Sequence, residues 1–176
     1  MDIFTDGSCD LKKNIGGFGV FFPNGEYDSY GVKMLEKYHI KITNQRAELY
    51  AFLEVFKILN NNLNQKEKNI NIYSDSMYSI NCLTNWRYNW EKNNWINSKN
   101  EPVLNQDIIK DCIKLYDNLI NNGFIINIYH VNSHTHIKEY KYICNDIVDK
   151  ISRNAANLTN KNATFNIVDN WSDYKN

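Results

Sequence analysis

Two segments of the 176-residue chain end an apolar run on an aspartate followed by small polar residues: "IFTDGS" at 3–8 and "IYSDS" at 72–76. Side chains alternate across a strand, so Phe4 and Asp6 share one face of the first segment, and Tyr73 and Asp75 share one face of the second. If the strands are parallel neighbours, both carboxylates stand side by side at the carboxyl ends, the crevice where open α/β sheets usually place their sites. A third acid, Glu48, falls in a helical row with Ala51, Phe52 and Val55, at the border of a buried face. Two carboxylates about 4 Å apart repel by roughly 1 kcal/mol in water and about 4 kcal/mol at the effective dielectric of a protein surface. Protonation, a basic neighbour or a divalent cation relieves that repulsion. No basic residue closely follows either strand acid, and ligands that are all oxygen favour magnesium or manganese. Singly, each acid has an ordinary reading: Asp before Gly or Ser is a common turn or cap residue, and a helical Glu is more often solvated or ion-paired. Shared parity and placement turn the three into one expected cation site.

The elements that must position these acids follow from hydrophobic periodicity. Residues 2–6, "GGFGVFF" at 16–22 and about 27–34 read as three strands in an antiparallel meander, with "PNGE" at 23–26 as one turn. From Asn44 the period changes: Leu49, Phe52, Leu53, Phe56 and Leu59 form the stripe of an amphipathic helix, with Thr43 or Asn44 as its N-cap. "NINIYSDS" at 69–76 reads as a buried strand reached by a crossover, hence parallel to one of the first three, and "SMYSINCLTNW" after it as a helix. Residues 86–101 read as a polar, aromatic-rich insert, Pro102 opens a helix to about Asn122, and "FIINIYHV" at 124–131 is the last clear strand. A loop rich in His and Lys leads to a helix from about Cys144 to Asn157, with Ile147, Val148, Ile151 and Ala155 as its apolar side. The expected organisation is one domain over 1–158 and a tail, 159–176, that could pack on it through "TFNIV" as a short strand or strap.

Composition bounds the function classes. A chain with 43% hydrophobic and 14% aromatic residues can build a sizeable core. No apolar run approaches the roughly 20 residues that span a bilayer, and the N-terminus has no signal-peptide pattern, so an intracellular, cytoplasmic protein without a membrane partner is expected. Cys9, Cys82, Cys112 and Cys144 are far apart and read as free thiols. Twenty basic and twenty acidic residues leave the formal charge at zero, so any polyanion site must be local.

The motifs together resemble a known family. "TDGSC" at 5–9, "TNQRAEL" at 43–49, "YSDSMY" at 73–78 and "NDIVDKISRNAA" at 145–156 resemble, in order and spacing, the four acidic motifs of type 1 ribonuclease H. Trp86, Trp90 and Trp95, followed by "PVLNQD" at 102–107, resemble the basic handle and the next helix of bacterial-type members. The resemblance covers about residues 2–157. It implies an α/β fold of the RNase H-like type: a five-stranded mixed sheet, strands 1–3 antiparallel and strands 1, 4 and 5 parallel, with helices on both faces. It implies catalytic, metal-holding acids at Asp6, Glu48, Asp75 and Asp149; Asp146, one turn earlier, is the alternative to Asp149, which fits the Asn-x-x-x-Asp pattern from Asn145. The implied reaction is cleavage of the RNA strand of an RNA/DNA hybrid with two magnesium ions, or manganese, leaving 5′-phosphate and 3′-hydroxyl ends. Asp6 would bridge both ions, Asp149 would hold the nucleophile-side ion, and Glu48 and Asp75 the other. His134 in "VNSHTH" matches a loop histidine that assists proton transfer or product release, with His136 as competitor in a loop a few residues longer than usual.

By the same resemblance Asn44 and Gln45, with Cys9 and Glu48 nearby, would touch the minor groove on the RNA side, where 2′-hydroxyls distinguish RNA from DNA. Thr43 would meet a DNA phosphate, and Trp86, Trp90 and Lys92 would line a DNA channel. Plain helix packing is the other reading of the tryptophans, and Trp95 is expected in the core. Two departures stand out. "DLKKNI" at 10–15 replaces the Gly- and Pro-rich turn common in the family, which could bring Lys12 or Lys13 to phosphate, and Arg87, Lys92 and Lys99 are offset in the handle by Glu91 and Glu101. Weak, strongly salt-sensitive binding is therefore expected. The chain starts at its first strand, so a separate hybrid-binding module is expected to be absent, and nothing demands more than a monomer. The alternatives are a catalytically weak RNase H-fold nucleic-acid-binding domain and another nuclease of the superfold, such as an integrase or junction resolvase.

Overall fold

The computed structural model describes residues 1–34, 41–133, 139–159 and 164–166. In chain order these form β1 (Asp2–Asp10), β2 (Ile15–Phe21), β3 (Tyr30–Lys33), α1 (Asn44–Asn60), β4 (Asn69–Ser74), α2 (Met77–Asn81), a π-helical turn (Cys82–Trp86), α3 (Arg87–Lys92), α4 (Gln106–Asn121), β5 (Ile125–His130), α5 (Tyr140–Ala156) and β6 (Thr164–Asn166). The sheet runs β5-β4-β1-β2-β3-β6. β1, β2 and β3 are antiparallel in sequence, and β1, β4 and β5 are parallel, as expected. Beyond the five, the short strand offered for "TFNIV" forms as β6 and pairs antiparallel with β3.

Strand alternation sorts the two faces. Ile3, Val20, Ile70 and Ile72 turn to one side, where they pack with Leu49, Phe52 and Phe56 of α1 and Ile109 and Cys112 of α4. Phe4 and Phe21 turn to the other, under Cys144, Val148 and Ile151 of α5. α5 lies close on that face because the strands beneath it carry glycine. A Cβ at Gly17 would sit 2.4 Å from the Ala156 nitrogen, and one at Gly31 would sit 2.8 Å from the Ile151 carbonyl oxygen.

Several boundaries differ from the sequence expectation, each for a local reason. β1 does not stop at Asp6; its parallel ladder with β4 ends at Phe4 and Tyr73, while its antiparallel ladder with β2 continues to Asp10. The turn after it is held by Asp10, whose Oδ1 accepts from the Lys12 and Lys13 amides at 3.0 and 3.1 Å and whose Oδ2 pairs with Lys13 at 3.7 Å. The first part of the polar, aromatic-rich insert, residues 86–92, is helical, and buried Arg87 within it is gripped by both Asp117 carboxylate oxygens at 3.0 and 2.8 Å. α4 starts four residues after Pro102, which forms an isolated bridge with Ile96, and Asn105 takes a left-handed conformation at φ 58 before the first turn. α5 starts at Tyr140, one turn before Cys144. None of the four cysteines is in a disulfide, and among the described residues no helix is long and apolar enough to cross a membrane.

Candidate active site

The register Phe4↔Tyr73 places Asp6 and Asp75, each two residues further on, at the same height on neighbouring parallel strands. The Phe4 and Tyr73 rings stack with centroids 4.6 Å apart, so the two aspartates share a face as the alternation requires. Glu48 arrives from the other side, on α1. Thr43 caps that helix, accepting from the Arg46 amide at 3.3 Å. The Arg46 guanidinium is buried and donates to both Asp107 oxygens at 3.1 and 2.7 Å, and to Asn105 at 3.3 Å, so the first turn of α1 is fixed to the start of α4. The guanidinium in turn holds the Asp107 carboxyl below the usual carboxylate range. Gly7 completes the arrangement. A Cβ there would lie 2.2 Å from the Glu48 nitrogen, so only glycine lets α1 press on β1 at this point.

One carboxylate oxygen from each of Asp6, Glu48 and Asp75 lies within 4.8 Å of the others. Asp6 and Glu48 are each only 4% exposed, and Asp75 is half-buried. Burial pushes the Asp6 carboxyl up to about 7; the Ser152 hydroxyl and Arg153 oppose the shift, while Asp75 and Asp149 add to it. Glu48 is raised well above its ordinary value, first by burial and then by Asp6 and Asp75, with the Gly7 amide opposing. Asp75 is raised by burial and by Asp149, and the Ser133 hydroxyl and His130 lower it. The Glu48 Oε2 atom is buried and has no hydrogen-bond partner. An unpaired buried carboxylate oxygen is unfavourable by itself. Three hard oxygen donors, one of them orphaned and all with raised proton affinity, fit a divalent cation of the magnesium class.

Asp149 lies outside this group of three. Its Oδ1 takes the Arg153 Nε at 2.9 Å, one turn along α5, yet its charge still adds, less than burial does, to the upward shifts of Asp6, Glu48 and Asp75. His134 and His136 lie outside the described residues. Asn44 and Gln45 are exposed in the first turn of α1, and Thr43 spends its hydroxyl on the cap. Cys9 is half-buried on β1 with its thiol toward the Ile42 carbonyl at 3.6 Å. Trp86 is 37% exposed, Trp90 is half-buried with its ring 5.7 Å from that of Trp86, and Lys92 is exposed at the end of α3. Trp95, expected in the core, is half-buried and packs against the edge of the main core; its ring carries Lys110 at 4.6 Å. Trp86 and Trp90, with Asn89, Asn93, Ile96, Asn97 and Ser98, line an open hollow of about 470 Å³ that has no charged residue in its wall. The structure also brings two hydroxyls, Ser152 and Ser133, to the acids, which the sequence motifs do not mark. The signal for Ser152 was its place one turn after Asp149, on the side of α5 that faces the sheet.

Three carboxylates thus converge beside the parallel β1–β4 pair, two from the strands and one from α1, as a candidate cation site at the carboxyl ends of the strands. The chain belongs to the RNase H family, whose model matches residues 1–157. It is 41% identical over 108 residues to a ribonuclease H of Haemophilus influenzae (strain 86-028NP), covering 61% of this chain and 64% of that protein. A probable ribonuclease H of Acanthamoeba polyphaga mimivirus is 31% identical over 141 residues, 80% of this chain and 58% of that one. The chain thus spans less than two thirds of the length of these curated relatives. Among solved structures, the foamy viral protease-reverse transcriptase in complex with dsDNA matches with a TM-score of 0.65 at 21% identity, over 89% of this chain and 93% of that one. LC9-RNase H1, described as a type 1 RNase H with the type 2 active-site motif, matches with a TM-score of 0.62 at 17% identity, over 98% and 79%. These two likenesses are of fold.

Proposed function

We propose that the chain is an endoribonuclease that hydrolyses the RNA strand of RNA/DNA hybrids, leaving 5′-phosphate and 3′-hydroxyl ends. The observation that carries this reading is the convergence of Asp6, Glu48 and Asp75 within 4.8 Å, with the buried Glu48 Oε2 lacking any protein partner. The family relationship supports it, as do the ribonuclease H names of the relatives and the fold shared with a foamy viral protease-reverse transcriptase in complex with RNA/DNA hybrid.

Asp6, Glu48 and Asp75 would hold magnesium or manganese, and Asp149 would join them once released from Arg153. Bound divalent ions, two in this reading, supply Lewis acidity toward the phosphoryl oxygen and a lowered pKa for the attacking water. The chain's own part is positioning. Buried Asp6 and Glu48 keep bulk water from the charged centre, and the Arg46 clamp fixes the helix that carries Glu48. Asn44 and Gln45 present free amides at the start of that helix, suited to the 2′-hydroxyls and base edges of a hybrid minor groove. Trp86 and Trp90 offer apolar faces to the deoxyribose or bases of the DNA strand, and Lys92 a charge to its backbone. His134 is proposed for proton transfer or product release. Residues 1–158 are proposed as the catalytic domain, with the tail joined to it through β6.

The Asp149–Arg153 pair favours a second reading, a domain that binds hybrid and cleaves it poorly. One experiment separates them: labelled RNA/DNA hybrid, duplex DNA and duplex RNA are each incubated with magnesium or a chelator. Magnesium-dependent cutting of the hybrid alone is expected. Hybrid binding without cutting would establish the second reading, and cutting of duplex DNA would overturn the substrate.

A further inference from the structure

Among the described residues, the Asp6 carboxylate has one hydrogen-bond donor, the Ser152 hydroxyl, which bonds to Oδ2. Ser152 is fully buried, and its oxygen is also 2.9 Å from the Asp149 carbonyl. A serine hydroxyl has one proton, and a backbone carbonyl only accepts. With Asp6 ionised, the charged acceptor takes that proton, because hydrogen bonds to charged groups are the stronger ones.

The sheet makes this contact possible. Asp6 pairs across the ladder with Gly19, where an added Cβ would stand 3.2 Å from the Ser152 nitrogen, and at Gly17 a Cβ would stand 2.7 Å from the Ser152 carbonyl oxygen. Side chains on β2 would lift α5 away from the sheet and carry Ser152 out of reach of Asp6. Three elements thus cooperate: β2 sets the depth of α5, α5 delivers the hydroxyl, and β1 presents the carboxylate.

We propose that Ser152 is the positioning residue of the acid cluster, holding Asp6 Oδ2 so that the carboxylate is fixed in one rotamer with its other oxygen left for a divalent cation shared with Glu48 and Asp75. This rests on the cation-binding part of the reading above. It does not need the substrate to be a hybrid. The hydroxyl favours the ionised carboxylate and costs no rearrangement when the cation arrives. Partners that orient a ligating side chain in this way typically change metal affinity by about tenfold or more when removed.

The test is Ser152→Ala, which removes one buried oxygen and adds no bulk. Magnesium alone is titrated calorimetrically into the parent and the variant, hybrid cleavage is resolved into kcat and KM, and thermal unfolding checks the fold. The expected result is a single unfolding transition, magnesium affinity about tenfold weaker, kcat lower by a similar factor and KM for hybrid unchanged. Ser152→Thr restores the hydroxyl and recovers affinity wherever its methyl is tolerated; the alanine variant alone decides. Unchanged magnesium affinity in Ser152→Ala overturns the proposal, whether or not stability falls. A parent that binds no magnesium overturns the cation site and this proposal together. A parent that binds magnesium without cutting hybrid overturns only the substrate, and the calorimetry still decides the role of Ser152.

Discussion

The acid cluster and the tryptophan arm are each moored to α4 by a buried arginine, Arg46 on Asp107 and Arg87 on Asp117, but they are built on opposite plans. In the cluster every position is dictated by packing. Gly7 has no room for a side chain, Glu48 is pressed against β1, and Asp6 is covered by α5. The arm from Cys82 to Val103 is a π turn, a short helix and a loop in which Asn94, Trp95 and Asn100 all take positive φ. Its hollow is lined by exposed amides and ring faces. The buried region concentrates unfavourable charge at one point, which suits chemistry on a phosphodiester. The hollow of the exposed region has no charged residue in its wall, as the proposed stacking against a strand of any sequence requires.

The contrast can be broken or sharpened by substitution. Asp6→Asn keeps shape and removes one ligand charge; kcat for hybrid cleavage should fall by about a thousandfold or more while KM stays near the parent value. Gly7→Ala forces a Cβ to 2.2 Å from the Glu48 nitrogen. It should destabilise by about 3 kcal/mol or more in denaturant unfolding and weaken magnesium binding with it. Arg87→Ala removes the buried guanidinium, leaves half-exposed Asp117 to solvent and frees the arm from α4. A loss of about 2 kcal/mol with magnesium affinity intact is expected, and a matching loss of magnesium affinity would show that the two regions are not separate. Trp86→Ala should raise KM by about fivefold, equivalent to roughly 1 kcal/mol of lost stacking, and leave kcat and magnesium binding alone.

The same contrast explains what was legible in the sequence. Period-two alternation fixed which side Asp6 and Asp75 face, and the stacked Phe4 and Tyr73 rings are its direct consequence. The stripe through Leu49, Phe52 and Phe56 placed Glu48 on a border row, because α1 is a regular helix under one cap. The arm was legible only as a polar, aromatic-rich insert, because its helix is held by a long-range pair, Arg87 with Asp117, thirty residues apart, which no local pattern encodes. Pro102 looked like a helix start, yet its pairing with Ile96 belongs to the loop's closure. Ser152 escaped notice for a similar reason. A serine on a helix reads as ordinary polarity until the glycines of β2 bring α5 down onto Asp6.

The most direct test of the buried cation site is the pH dependence of stability with and without magnesium. In the unfolded chain Asp6 loses its proton near 3.8, whereas in the fold it keeps it up to about 7, and Glu48 is raised in the same direction. Between those values the folded state binds more protons than the unfolded state, so stability must fall as pH rises. Denaturant unfolding of the metal-free protein at about pH 5 and about pH 8 should show a loss on the order of 2 kcal/mol, smaller in Asp6→Asn, where buried Glu48 still contributes, and offset in the parent by magnesium at the higher pH. A metal-free parent equally stable at both pH values, with no response to magnesium, would contradict the account of Asp6, Glu48 and Asp75 as one cation site.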